Sequence, residues 1–127
     1  DFCLSRGLGD VYKRQMLLNA PKYVVSATLT ESVLWPNSTL LRGAVADSVR
    51  MLRAHVDGVL AIMGSGELIG SLMAADLVDE YLLMIHPLVL GGGRRLFPEK
   101  VDISLRLADS LTTAAGVVIA TYEPVRG

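Results

Sequence analysis

The sequence predicts an α/β domain of three layers: a mixed, mostly parallel sheet with helices on both faces and an antiparallel hairpin near its C-terminal end. Three observations carry this reading. Strand-like and helix-like periods alternate along the chain, as βαβ units require. Val59 to Met63 (VLAIM) is apolar at every position, the mark of a parallel strand covered on both faces. Two β-rich runs close the chain, Leu105 to Ala108 and Gly116 to Glu123, and the span Leu111 to Ala115 suits a hairpin.

Composition narrows the class further. A chain of 127 residues fits one domain. It is 51% hydrophobic and 20% charged, which allows a buried core and argues against disorder. The formal net charge is -1, with Lys and Arg spread along the sequence, so no basic patch is available for nucleic acid. The single cysteine cannot form a disulfide within the chain, which points to a reducing, cytoplasmic setting. No apolar run reaches the roughly 18 residues a membrane span needs. No Cys, His and acidic residues recur at metal-ligand spacing, so no metal is expected.

The elements follow in order. Asp1 to Gln15 (DFCLSRGLGDVYKRQ) has no period of 2 or 3.6 and no apolar centre of a signal peptide. It looks like a translated sequencing adapter, with a disordered arm as the plainer alternative, and is set apart from the domain at 16–127. Lys22 to Thr28 is short, β-branched and aromatic, hence a strand. Thr39 to Leu41 is a weaker one. Asp47 can cap a helix whose buried stripe is Val49, Leu52 and Val56, ending at Asp57-Gly58. After the VLAIM strand comes a helix from Glu67 to Ala75 with Leu68, Ile69, Leu72 and Met73 inward. Glu80 to Pro87 is a further strand. Gly91 to Gly93 break the chain, and Leu96-Phe97-Pro98 bring it back to the core. Met51, Met63, Met73 and Met84 are expected to fill the core.

The segment that carries chemistry is Gly64-Ser65-Gly66-Glu67-Leu68, where a strand ends, glycines turn the chain and a helix begins. Unpaired amides and the positive end of the helix dipole make such a turn an anion site. Glycine allows the backbone to approach a phosphate closely. A bare Gly-x-Gly is weak evidence, because many strand–helix turns hold no ligand.

The longer run is more specific. Residues 64–98 (GSGELIGSLMAADLVDEYLLMIHPLVLGGGRRLFPE) resemble the C-terminal reductase domain of the bifunctional riboflavin-biosynthesis deaminase-reductase, within the dihydrofolate-reductase-like proteins. The shared elements are the Gly-Ser-Gly turn, Leu77-Val78-Asp79-Glu80-Tyr81, Pro87, Leu90-Gly91-x-Gly93 and Leu96-Phe97. Upstream, Pro21 to Ser26 looks like that family's earlier strand. The resemblance implies a dihydrofolate-reductase-like fold that binds NADPH across the ends of parallel strands. Gly64, Ser65, Gly66, Glu67 and Leu68 match the turn around the pyrophosphate. Ser26 and Thr28 match the region meeting the adenosine and its 2′-phosphate, and Arg42 and Gly43 a loop bordering the adenine. The resemblance further implies hydride delivery to a small-molecule heterocycle and a homodimer joined through the C-terminal strands. The family's first strand, the helix after it and a Gly-Arg cofactor motif are not visible before Lys22, and Met16 to Asn19 resembles interior family sequence. The expectation is a partial domain that folds poorly alone and turns nothing over, with no catalytic residue assignable.

Plainer readings stand beside these. His86, without a partner, is more simply structural, and His55 is a surface residue late in a helix. Asp79 and Glu80 are adjacent, so on a strand they face opposite ways and mark a corner rather than an acid–base pair. Arg94 and Arg95 can reach a substrate phosphate or simply keep a loop soluble. Gly91 to Gly93 can be a gate or a fixed turn. The His-x-Glu and Cys-x-x-Cys signatures of a zinc deaminase are absent. Against the reductase stand two rivals: a nucleotide-binding or dimerisation module without turnover, and an unrelated α/β domain holding another phosphate ligand at Gly64 to Gly66.

Overall fold

The computed structural model describes residues 15–30 and 35–127. The adapter-like segment therefore lies, except for Gln15, outside the described residues. The chain divides into two compact units, Asp1–Ser48 and Val49–Gly127.

In the first unit, residues 15–19 are helical. The Lys22 ammonium closes that turn by donating to the carbonyls of Leu17 (2.6 Å), Leu18 (3.1 Å) and Ala20 (2.8 Å). A cation there satisfies the last carbonyls and opposes the negative end of their dipole. Asn37, in the left-handed region at φ 58°, donates its Nδ2 to the Leu18 carbonyl at 3.1 Å. Strands β1 (Lys22–Val25) and β2 (Ser38–Leu41) then pair in parallel, from Lys22 opposite Ser38 to Val25 opposite Leu41. β1 stops three residues short of the expected Thr28. Ser26 Oγ accepts the amides of Thr28 (3.2 Å) and Leu29 (3.1 Å), and this local turn competes with continued pairing.

Helix α1 (Val45–His55) starts two residues before Asp47, which lies in its first turn. The expected stripe of Val49, Leu52 and Val56 is half-buried. His55 is exposed in the last turn, as expected, with Nδ1 2.7 Å from the Met51 carbonyl oxygen.

In the second unit, helix α2 (Gly66–Ala74) turns Leu72, 1% exposed, and Met73 into the core. Its C-terminal end closes with two bonds of a Schellman motif: the Asp76 amide to the Met73 carbonyl (3.0 Å) and the Leu77 amide to the Leu72 carbonyl (2.9 Å). Strands β3 (Tyr81–Ile85), β4 (Leu105–Thr112) and β5 (Val118–Pro124) form an antiparallel sheet in the order β3-β5-β4. The tail is the expected antiparallel hairpin, with a bulge between Leu107 and Asp109. But β4 runs four residues beyond Ala108, so Leu111 and Thr112 are paired with β5 and the turn lies beyond them. That turn is held by the Thr113 amide to the Val117 carbonyl (2.9 Å) and by Gly116 at φ 82°. Val78, Tyr81 and Ala120 complete the core with Leu72 and Met73. Phe97 meets Tyr81 edge to face at 6.2 Å. Pro98 packs on Gly70, where an added Cβ would lie 3.4 Å from Pro98 Cγ.

Three expectations need correction. The sheet is not mostly parallel: β1 and β2 are a parallel pair, and the larger sheet is antiparallel. Residues 59–63 form no strand, and Val59 is 93% and Met63 69% exposed. A parallel strand exists only through its neighbours, and among the described residues none pairs with this run. Of the four methionines, only Met73 fills the core, while Met51, Met63 and Met84 are exposed. Strand alternation explains Met84, which with Leu82 points away from the face holding Tyr81.

Burial raises the Tyr81 phenol above its ordinary value; nearby Asp76 adds to the rise and Arg126 opposes it. The folded state therefore holds this proton longer than the unfolded chain. Stability linked to Tyr81 is complete below about pH 10 and is lost as pH climbs through the raised value. Urea midpoints measured from pH 8 to 11.5 should fall at the alkaline end, and Tyr81→Phe should flatten that fall. An unchanged slope in the variant would assign the alkaline loss to other groups. No helix among the described residues is long and apolar enough to cross a membrane.

Candidate functional site

The Gly64–Leu68 turn lies in the second unit, directly at the start of α2 as expected, but no strand leads into it. Ser65 is the N-cap, with extended backbone (φ -82°, ψ 166°), and its Oγ accepts the Leu68 amide at 3.4 Å. The Ile69 amide reaches the Ser65 carbonyl at 3.0 Å. Of the first four helical amides, that leaves Gly66 and Glu67 for an outside acceptor. The Gly64–Ser65 peptide is cis, and Gly64 sits at φ 130°. A Cβ added at either Gly64 or Gly66 would meet nothing within 4 Å. The mouth of the turn is open, so packing within the chain does not demand glycine at Gly66. Glu67 lies in the first turn and is exposed; its charge suits the helix dipole but opposes an incoming anion.

The remaining site residues lie in the first unit. Ser26 and Thr28 follow β1, and Arg42 and Gly43 follow β2, so all four sit at the carboxyl ends of the parallel pair. Topology makes that edge the usual ligand-binding side of an open α/β sheet. Arg42 ties the two loops together, its Nη2 donating to the Leu29 carbonyl at 2.9 Å. Ser48 Oγ in turn donates to the Arg42 carbonyl at 3.2 Å, and Gly43 turns the chain at φ 90°. Ser26 Oγ is occupied by the two amides of its own turn. The donors facing outward from this edge are therefore the Thr28 hydroxyl and the rest of the Arg42 guanidinium, both on exposed residues. The first unit brings Ser26, Thr28, Arg42 and Gly43 together, and the second holds Gly64 to Leu68.

One polar cluster escaped the sequence reading. The Arg126 guanidinium donates to Asp76 Oδ1 (3.0 Å), Asp79 Oδ1 (3.0 Å) and the carbonyls of Asp76 (3.3 Å) and Val78 (3.2 Å). Arg53 meets the other Asp79 oxygen at 2.8 Å. Asp79 lies at the helix-to-strand corner that the sequence suggests, held from two sides. The hydrogen bonds to Asp76 and Asp79 raise the Arg126 guanidinium above its ordinary value. Arg95 pairs with Glu99 at 3.7 Å, and His86 is exposed. Among the described residues, no three His, Cys, Asp or Glu side chains gather as a metal site would require.

Comparison with known proteins gives the family. The family model described as the RibD C-terminal domain matches residues 9–119. The "Uncharacterized protein YyaP" of Bacillus subtilis (strain 168) is 32% identical over 103 residues, covering 80% of this chain. The chain spans 54% of that relative's length. Among solved structures, the "Putative riboflavin biosynthesis protein" from Shewanella sp. PV-4 superposes with a TM-score of 0.65 at 24% identity, covering 92% of this chain and 71% of the other. At that identity the likeness speaks for the fold.

Proposed function

Because this chain belongs to the RibD C-terminal domain family, we propose that it serves an NADPH-dependent reductase of a small heterocycle, of the pterin or 5-amino-6-(5-phosphoribosylamino)uracil type, as in riboflavin biosynthesis. The observation that carries this reading is the open turn at α2, with two amides left for an acceptor and glycine where packing does not require it. Gly64, Ser65, Gly66, Glu67 and Leu68 are assigned to the cofactor pyrophosphate through backbone amides at a helix start. Ser26, Thr28, Arg42 and Gly43 are assigned to the adenosine end, where a guanidinium and a hydroxyl suit the 2′-phosphate. When bound, NADPH supplies the hydride, and the chain supplies position and electrostatics. A cytoplasmic setting belongs to the same reading, on the strength of a single cysteine. So does a homodimer: Met84 and Leu111 flank Ile119 in register across the sheet and leave an apolar row facing outward.

A binding module without turnover is the second reading. It accords with a site whose assigned residues all serve to bind the cofactor, none being assigned to the chemistry.

Titration of the full chain with NADPH, NADH, ATP and a flavin nucleotide, followed by NADPH oxidation with candidate heterocycles, tests both. Preferred binding of NADPH supports the cofactor reading, and oxidation separates enzyme from module. Equal or better binding of ATP or flavin overturns it. Glu67→Gln removes a like charge from the phosphate end of α2 and should tighten NADPH about twofold to fivefold, an effect that fades at high salt.

A further inference from the structure

Asp76 sits at φ 52°, in the left-handed position that closes α2 and that glycine usually takes. Residues with a Cβ seldom adopt that conformation, Asp and Asn being the more frequent exceptions. The two Schellman bonds hold it on the backbone side, leaving the side chain for another group to hold. Arg126 is placed to do so: its guanidinium takes both the side chain and the carbonyl of Asp76, then the Val78 carbonyl and the Asp79 carboxylate. Arg53, in the last turn of α1, takes the second oxygen of Asp79. The corner between α2 and β3 is therefore gripped at Asp76 and Asp79 by one planar group. Isolated surface ion pairs hold little, but a fork that engages two carboxylates and two backbone carbonyls fixes geometry.

We propose that Arg126 is a positioning residue for the cofactor turn: by holding the corner at the C-terminal end of α2, it fixes the axis of that helix and so the aim of the Gly66 and Glu67 amides at the other end. This rests on the reading that those amides meet the cofactor phosphates. A nine-residue helix is stiff, so freedom at one end is transmitted to the other. Leu72 and Met73 anchor the C-terminal end of the helix in the core, next to the corner that Arg126 grips, while the glycine turn at the other end is open.

The test uses the full chain and two readouts. Amide exchange at Asp76 and Leu77, measured without cofactor, reads the latch itself. The NADPH dissociation constant reads the positioning. Arg126→Ala should speed exchange at both amides and raise the dissociation constant about threefold to thirtyfold. Arg126→Lys keeps the charge but loses the fork, and should recover only part of either effect. Adding Asp76→Gly to Arg126→Ala relieves the left-handed strain and should restore both. Faster exchange with an unchanged dissociation constant would overturn the positioning role and leave a purely structural latch. Unchanged exchange would overturn the latch. A wild-type chain that binds no NADPH would instead overturn the functional reading, and the exchange data would still report on Arg126.

Discussion

Leu72→Ala is expected to unfold the second unit. Leu72, on α2, is the most deeply buried side chain among the described residues. Truncating a buried leucine costs about 2–5 kcal/mol, through lost transfer energy and the cavity left behind. Whole small domains hold roughly 5–15 kcal/mol, so the loss is a large share of what is available. It is severe here because the core is small: Leu72 is joined by Met73, Val78, Tyr81 and Ala120, and few other residues could collapse into the gap. Met51→Ala is the control, since Met51 is exposed on α1 and its truncation should leave stability within about 0.5 kcal/mol of wild type. Urea unfolding followed by circular dichroism decides the matter. Equal midpoints for Leu72→Ala and wild type would mean that this contact does not hold the unit together.

Local signals made α2 and the tail hairpin legible in the sequence. The helix was placed within one residue, because the Gly64-Ser65-Gly66 turn marks its start and Leu68, Ile69, Leu72 and Met73 keep a helical spacing. The hairpin was legible in kind because two strand-like runs, Leu105 to Ala108 and Gly116 to Glu123, close the chain with a short span between them, although its turn falls at Thr113 to Val117. Pairing was not legible, since it depends on partners far along the chain. VLAIM has the composition of a covered strand, yet a strand needs neighbours that its own residues do not specify. The methionines failed for a related reason: hydrophobicity predicts burial only when the face is known, and Met84 is on the outer one. Of the candidate site, the Gly64–Leu68 turn was readable from physics alone. The edge holding Ser26, Thr28, Arg42 and Gly43 was reached through resemblance, and the Arg42 bond that unites it left no sequence mark. Arg126 was out of reach because its partners lie 47 to 50 residues away.

Gly64→Ala and Gly66→Ala should fail in different ways, and the contrast isolates what the turn is for. Gly64 sits at φ 130°, a region that residues with a Cβ scarcely enter. Alanine there should cost about 1–3 kcal/mol or force the turn into another shape. The loss is conformational, because the added Cβ would meet no other atom within 4 Å. Stability and NADPH affinity should fall together. Gly66 is already helical and equally open, so alanine there should hold stability or raise it by about 0.5–1 kcal/mol. If a phosphate approaches the Gly66 amide, the new methyl stands beside its path and affinity should drop in a protein that is no less stable. A Gly66→Ala variant of higher stability and undiminished NADPH affinity would place the phosphate elsewhere, and glycine at that position would then have no ligand to explain it.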